Sequence, residues 1–261
     1  MHIALIQFAS TTDSAANRVA IDEMLGGLGA EDGLDLVVLP EGSMHDFGRP
    51  DDDLSAIAEP LDGPFVQLLV AHAQRLGATM IGGMFEATDG LPFNTLVVIG
   101  PDGALLHTYR KIHLYDSFGY RESDRLRSGE IEPLVIDVAG HSVGLMTCYD
   151  LRFPELSRLL IDAGADVLVV PAAWVQGEIK LDHWTTLLRA RAIENTVPVI
   201  AVGQCGERYV GHSLVIDARG SIVDEAGPDP AILRNELDFA EVQRAREENP
   251  SLVNRRIRSA L

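Results

Sequence analysis

A chain of 261 residues can hold one large domain or two small ones, and a 46% apolar fraction supplies a substantial core and argues against disorder. The formal net charge of −18 argues against nucleic acid and anionic membranes as partners, because both demand a basic face. No apolar run is long enough to span a bilayer, and a basic region followed by a signal-type apolar segment is lacking at the N-terminus.

Residues 3–8 are expected to form a strand, so that the fold begins almost at Met1, and 14–29 a helix with Ser14 as N-cap. Leu34 to Glu41 is a near-continuous apolar run, as in a strand buried on both faces, ending abruptly in Pro-Glu-Gly. Residues 44–62 are polar and acidic, with Asp51-Asp52-Asp53 expected as a solvated loop rather than a metal site. Pro64 to about Leu76 is helical and stopped by Gly77. A strand over Thr79–Ala87 precedes a hairpin of Asn94–Ile99 and Ala104–Tyr109 about Pro-Asp-Gly. Lys111–Glu132 lacks periodicity and reads as loop.

Leu134–Val138 and Ser142–Thr147 form a second hairpin that delivers the chain to Cys148, and Pro154 opens a helix through about Ala163. Asp166–Val170 is a buried strand ending in Pro171-Ala172-Ala173-Trp174. A helix over Asp182–Asn195 and a strand over Val197–Gly203 follow. Ser213–Ile216 and Ile222–Asp224 form a hairpin, and Ala231–Asp238 a last strand. A short charged helix, 240–248, ends at Asn249-Pro250 before a basic tail of Arg255, Arg256 and Arg258. With no linker and no repeat, this is one α/β domain. Hairpins mixed with crossovers fit two packed sheets flanked by helices better than a single doubly wound sheet.

Several buried strands finish in a reactive or polar group. Cys148 lies between a strand and a helix start, where a helix N-terminus and a nearby cation favour thiolate over thiol; the ordinary alternative is a small buried hydrophobe. Glu41 closes one strand and Lys111 another, although each could equally be a solvated surface charge. Together a Cys, a Glu and a Lys supply acyl transfer: the thiol attacks a carbonyl, a carboxylate made basic by burial takes its proton, and the ammonium binds the oxyanion. Cys148 and Cys205 do not make a disulfide framework, and a cytoplasmic location is the default expectation. Cys205 is expected as a buried structural thiol. The histidines (His2, His45, His72, His107, His113, His141, His183, His212) are scattered without ligand spacing, so no metal is expected. Serine-hydrolase and nucleotide-binding motifs are absent.

The combined pattern resembles the nitrilase superfamily of carbon–nitrogen hydrolases. The matching pieces are Leu39-Pro40-Glu41, Tyr109-Arg110-Lys111-Ile112-His113-Leu114, Val143-Gly144-Leu145, Cys148-Tyr149-Asp150-Leu151-Arg152-Phe153-Pro154-Glu155, Arg191-Ala192-Ile193-Glu194-Asn195 and Gly211-His212-Ser213. The resemblance runs from Ile3 to about residue 240. It implies a four-layer αββα fold and a catalytic triad of Glu41 as general base, Lys111, and Cys148 as nucleophile. The backbone N–H of Tyr149 would join Lys111 at the oxyanion, and a second glutamate maps onto Glu122. Arg152 matches a position that pairs with the substrate carboxylate, its alternative being a salt bridge to Glu155 or Asp150. Trp174 matches an aromatic position lining the pocket.

In Lys111-Ile112-His113-Leu114-Tyr115-Asp116, Arg121-Glu122-Ser123 and especially Gln204-Cys205-Gly206 the chain is similar to the Nit branch of the superfamily, the deaminated glutathione amidases and the related ω-amidases. Both cleave the γ-amide of a 2-oxoglutaryl group and differ in the leaving amine. The expected substrate is therefore a small 2-oxo-dicarboxylate amide, with no cofactor. The segment Val175–Lys180 and the short loop after Gln204-Cys205-Gly206 depart from the pattern, and Glu178 would oppose an anionic substrate if it pointed inward. The resemblance also implies a homodimer, with the extension from about 240 at the interface. Competing readings are a cysteine peptidase with a histidine base and a binding protein that keeps the fold without catalysis.

Overall fold

The structure, a computed structural model, describes residues 1–257; Arg258 of the basic tail lies outside them. Strand β1 (His2–Gln7), helix α1 (Ser14–Gly26), β2 (Leu36–Val38), α2 (Pro64–Leu76), β3 (Thr79–Glu86), β4 (Phe93–Ile99) and β5 (Leu105–Arg110) make the first half. A small ribbon of β6 (Asp116–Ser117) and β7 (Tyr120–Arg121) follows. The second half comprises β8 (Val135–Val138), β9 (His141–Leu145), α3 (Pro154–Asp162), β10 (Val167–Ala172), α4 (Lys180–Asn195), β11 (Val199–Gly203), β12 (Leu214–Ile216) and β13 (Ile222–Glu225). Strand β14 (Ala231–Glu236) returns to the first half, and α5 (Phe239–Glu248) and α6 (Ser251–Asn254) complete the described chain.

Two six-stranded sheets result, ordered β14-β1-β2-β3-β4-β5 and β13-β12-β11-β10-β9-β8. In each, three strands run parallel (β1, β2, β3 and β9, β10, β11) and the others pair antiparallel. Side chains alternate faces along a strand, and this alternation sorts the core into layers. Ile3, Leu5, Leu36 and Val38 pack with Val143, Leu145, Val167 and Val169 between the sheets. Their neighbours Ala4, Ile6 and Val37 turn outward onto Ile21 and Leu25 of α1 and Phe65 and Leu69 of α2. On the other side Leu168, Val170 and Ala201 meet Leu160 of α3 and Trp184 and Leu188 of α4. The order of layers is helix, sheet, sheet, helix.

Four local expectations change. Asp13, not Ser14, caps α1: its extended backbone lets the carboxylate accept from the free amides of Ala15 and Ala16, and Ser14 is already helical. The ladder of β2 stops at Val38, well short of Glu41. Pro171 lies inside β10, paired in register with Val202, because β9 leaves the ladder after Val169 and no partner there needs the missing N–H. Within the expected loop 111–132, β6 and β7 close a tight turn at Phe118 and Gly119, both at positive φ (53° and 80°). Asp51–Asp53 are exposed, as a solvated loop should be.

Candidate active site

The parallel strands of the two sheets release their chains toward a shared cavity of about 330 Å³. Beyond β2 the chain carries Glu41 past β3, and Gly83 is what admits it: a Cβ there would lie 2.7 Å from the Glu41 Cα and from the Pro40 carbonyl oxygen. Glu41 is buried, and each oxygen of its carboxylate is held. Oε1 accepts from Lys111 Nζ at 2.9 Å and from Asn94 Nδ2 at 2.7 Å, and Oε2 accepts from the Ala173 backbone N–H at 2.7 Å. The Glu41 carbonyl accepts from Gln204 Nε2 at 2.8 Å, and Ser10 fixes Gln204 in turn.

Lys111 leaves β5 with its N–H on the Asn94 carbonyl at 2.8 Å, which aims the side chain inward. Its ammonium also meets both Glu122 oxygens, at 3.1 and 2.9 Å, and Asn94 Nδ2 reaches Glu122 Oε1 at 3.1 Å. Burial by itself would discharge Lys111, but Glu122 and Glu41 outweigh it and hold its pKa well above the ordinary value. Burial raises Glu122, Glu41 adds to that, and Lys111 opposes both.

Cys148 begins a short 3₁₀ turn, Cys148–Arg152, at φ 47°, a left-handed conformation for a residue with a Cβ. Asp150 holds that geometry by accepting from the Thr147 N–H at 3.0 Å. The sequence suggested a thiol activated by a helix start, and the structure corrects this. Burial first, then the charge of Glu41 and a hydrogen bond to it, push the thiol well above its usual range, against the opposing pull of Lys111. The α-helix itself begins only at Pro154. A buried carboxylate beside a protonated thiol is a group chemically able to take its proton. Among the described residues no histidine lines the cavity, so a Cys–His peptidase has no base here. Among the described residues no three His, Cys, Asp or Glu side chains come together as a metal-ligand group.

Tyr149, Arg152 and Trp174 all line the same cavity. The Tyr149 amide belongs to the first residues of the turn, whose N–H groups have no acceptor within it. Arg152 makes neither of the salt bridges considered for it. Its guanidinium lies over Trp174, 5.0 Å from the ring centroid, with His183 Nδ1 3.3 Å away. Asp150 is engaged elsewhere, by Tyr109 and His113. Glu178 is exposed and lies outside the cavity lining; Cys205 is buried and also lies outside it.

The carbon–nitrogen hydrolase family matches residues 2–247. The chain belongs to that family. It is 40% identical over 259 residues to a deaminated glutathione amidase of Escherichia coli O157:H7, covering 98% of this chain and 97% of that one. Among solved structures it is similar to XC1258 of Xanthomonas campestris, a superfamily member with an arsenic adduct in its active site. The TM-score is 0.90 at 32% identity, over 100% of this chain and 99% of that one. Nit3 of Saccharomyces cerevisiae, from branch 10 of the nitrilase superfamily, gives 0.88 at 31% identity, over 98% and 97%.

This carbon–nitrogen hydrolase uses residues at its site that the sequence did not reveal. Asn94 bridges the two glutamates; its only signal was a buried polar residue opening an otherwise apolar strand. Gln204 stood out as part of a motif, but not as the clamp on the Glu41 backbone. Tyr115, Phe118 and Lys180, from the ribbon and the start of α4, close one side of the cavity.

Proposed function

We propose that this hydrolase is a thiol amidase in which Cys148 is the nucleophile and Glu41 the general base. One observation carries the reading: the Glu41 carboxylate, held by Lys111 at 2.9 Å, lines the same cavity as Cys148, whose thiol burial and that carboxylate's charge keep protonated. As Sγ attacks the amide carbonyl, the thiol proton passes to Glu41, and the oxyanion is met by Lys111 Nζ and the Tyr149 N–H. Collapse breaks the C–N bond, Glu41 returns the proton to the leaving nitrogen, and a thioester remains on Cys148. Glu41 then deprotonates water, and the second collapse releases the acid and reprotonates sulfur. Glu122 keeps Lys111 charged and positioned and helps orient that water.

The substrate is a 2-oxoglutaryl amide, most simply deaminated glutathione, with Arg152 pairing with a carboxylate and Trp174 lining the pocket. The similarity to the E. coli amidase supports this assignment, as does a basic group placed in the cavity of an acidic protein. The experiment is release of 2-oxoglutarate from deaminated glutathione and from 2-oxoglutaramate, by wild type and by Cys148→Ala. Preference for the former, abolished in the variant, is expected; the reverse preference makes the enzyme an ω-amidase, and no release from either overturns the substrate.

The same reading takes 1–261 as one domain that works as a cytoplasmic homodimer, with the segment from about 240 at the face between copies. Both cysteines are unpaired, which suits a reducing compartment; Val253 and Ile257 stand 79% and 89% exposed, which favours a C-terminal face covered by a second copy. Sedimentation velocity tests the dimer.

A further inference from the structure

Resting on that reading, we infer that Lys180 forms a second carboxylate-recognition position, one that holds the leaving half of the substrate. Lys111 is neutralised by Glu41 and Glu122, and Arg208, also on the cavity wall, by Asp46 at 2.5 Å. Lys180 and Arg152 line the same cavity, and among the described residues neither forms a salt bridge with a carboxylate. In a protein with a net charge of −18, two cations left uncompensated in one cavity call for two anionic groups on the ligand.

The surroundings of Lys180 make it a built position rather than a loose surface charge. Its Nζ donates to the Tyr115 hydroxyl at 3.0 Å and sits 4.2 Å from the Phe118 ring centroid and 5.1 Å from that of Tyr115. Its carbonyl accepts from Trp174 Nε1 at 2.9 Å, which ties the start of α4 to the wall that also carries Arg152. The aromatic run continues inward, with Tyr115 edge-on to Tyr149 at 5.0 Å, directly beside Cys148. An ammonium bonded to one neutral hydroxyl has donors left for a carboxylate.

Deaminated glutathione carries two carboxylates, one on the 2-oxo acid and one at the far end of the departing cysteinylglycine. The 2-oxoglutaramate molecule has only the first. With Arg152 on the acyl side, Lys180 reads the second, and this contact makes the enzyme selective for the larger amide.

The test compares wild type, Lys180→Met, which keeps the apolar stem on the rings, and Lys180→Arg, which restores charge. The ratio of kcat/KM for deaminated glutathione to that for 2-oxoglutaramate should fall about tenfold or more in Lys180→Met, the loss of one charge-assisted contact, and recover in Lys180→Arg. An unchanged ratio overturns the role of Lys180 while leaving the amidase reading intact. Binding of both compounds to Cys148→Ala, with and without Lys180→Met, is measured by calorimetry and needs no turnover. If Cys148→Ala binds deaminated glutathione through Lys180 but wild type does not cleave it, the assigned reaction falls and the binding position stands. If Lys180→Met leaves that binding unchanged, the position falls.

Discussion

The hydroxyl of Tyr109 donates to Asp150 Oδ2 at 2.6 Å, and this joins the strand end that carries Lys111 to the turn that carries Cys148. The same carboxylate accepts from the His113 backbone N–H at 3.0 Å and faces its Nδ1 at 2.7 Å, so residues on both sides of Lys111 are anchored to one buried group. His113 is further fixed by stacking on Phe153, ring centroids 3.8 Å apart. Tyr109→Phe should cost about 1–3 kcal/mol, as for loss of a hydrogen bond to a charged group. Asp150→Ala, which strands several donors at once, should cost more. Urea unfolding of both variants checks the order, and equal midpoints would contradict it.

Asn94, like Lys111, touches both glutamates, but as a neutral donor. Asn94→Leu fills similar space without a donor, which leaves Glu41 and Glu122 to repel across Lys111 alone. The expected result is a fall of about tenfold to a hundredfold in kcat/KM with the fold retained, from the loss of charge-assisted hydrogen bonds. Steady-state kinetics alongside circular dichroism would reveal the alternative, a stability loss with unchanged activity.

Gly83 predicts a backbone effect on chemistry. In Gly83→Ala the added methyl would meet backbone atoms of Pro40, Glu41 and Gly42, none of which can swing away as a side-chain tip could. Such overpacking costs about 1–3 kcal/mol. Because the displaced segment carries Glu41, activity should fall further than stability does. Comparing residual kcat with the unfolding midpoint separates the two.

A thiol raised by burial and by Glu41 should alkylate slowly with iodoacetamide at neutral pH, and the rate should still be climbing above pH 9. A plateau below pH 7 would mark a pre-formed thiolate instead. Glu41→Gln should lower amide turnover by about 10²–10⁴-fold, the usual contribution of a general base.

Stability should decline on the alkaline side. Burial pushes Cys205 up to about 11 from the usual 9.0, with Asp229 adding to it. Burial, reinforced by Asp150 and by Asp46, likewise raises Tyr109 and Tyr209 above the usual 10.0. Below pH 9 these groups keep their protons in both states. As the pH rises from about 9, the unfolded chain releases protons that the folded one still holds, so unfolding gains until the folded Cys205 itself ionises near 11. Urea midpoints at pH 8 and pH 10.5 should fall in that order, and Cys205→Ala should reduce the difference.

The sequence by itself determined the layers and singled out Glu41, Lys111 and Cys148 as the candidate site. Continuous apolar runs such as Leu36-Val37-Val38-Leu39 specify a strand covered on both faces, and Pro154 and Gly77 mark helix boundaries through local backbone restrictions. Glu41, Lys111 and Cys148 were legible because each follows a strand within a short contiguous motif. The tertiary structure decided what depends on partners distant in sequence: Asn94 bridging Glu41 and Glu122, Gln204 clamping the chain at Glu41, and Asp150 joining Tyr109 to the Cys148 turn. It also decided protonation. The expected activation of Cys148 rested on local helix geometry, whereas burial and the charge of Glu41, more than a hundred residues away in sequence, govern the thiol. Local rules act over a few residues; charge and desolvation act through space, where only the folded chain brings these groups together.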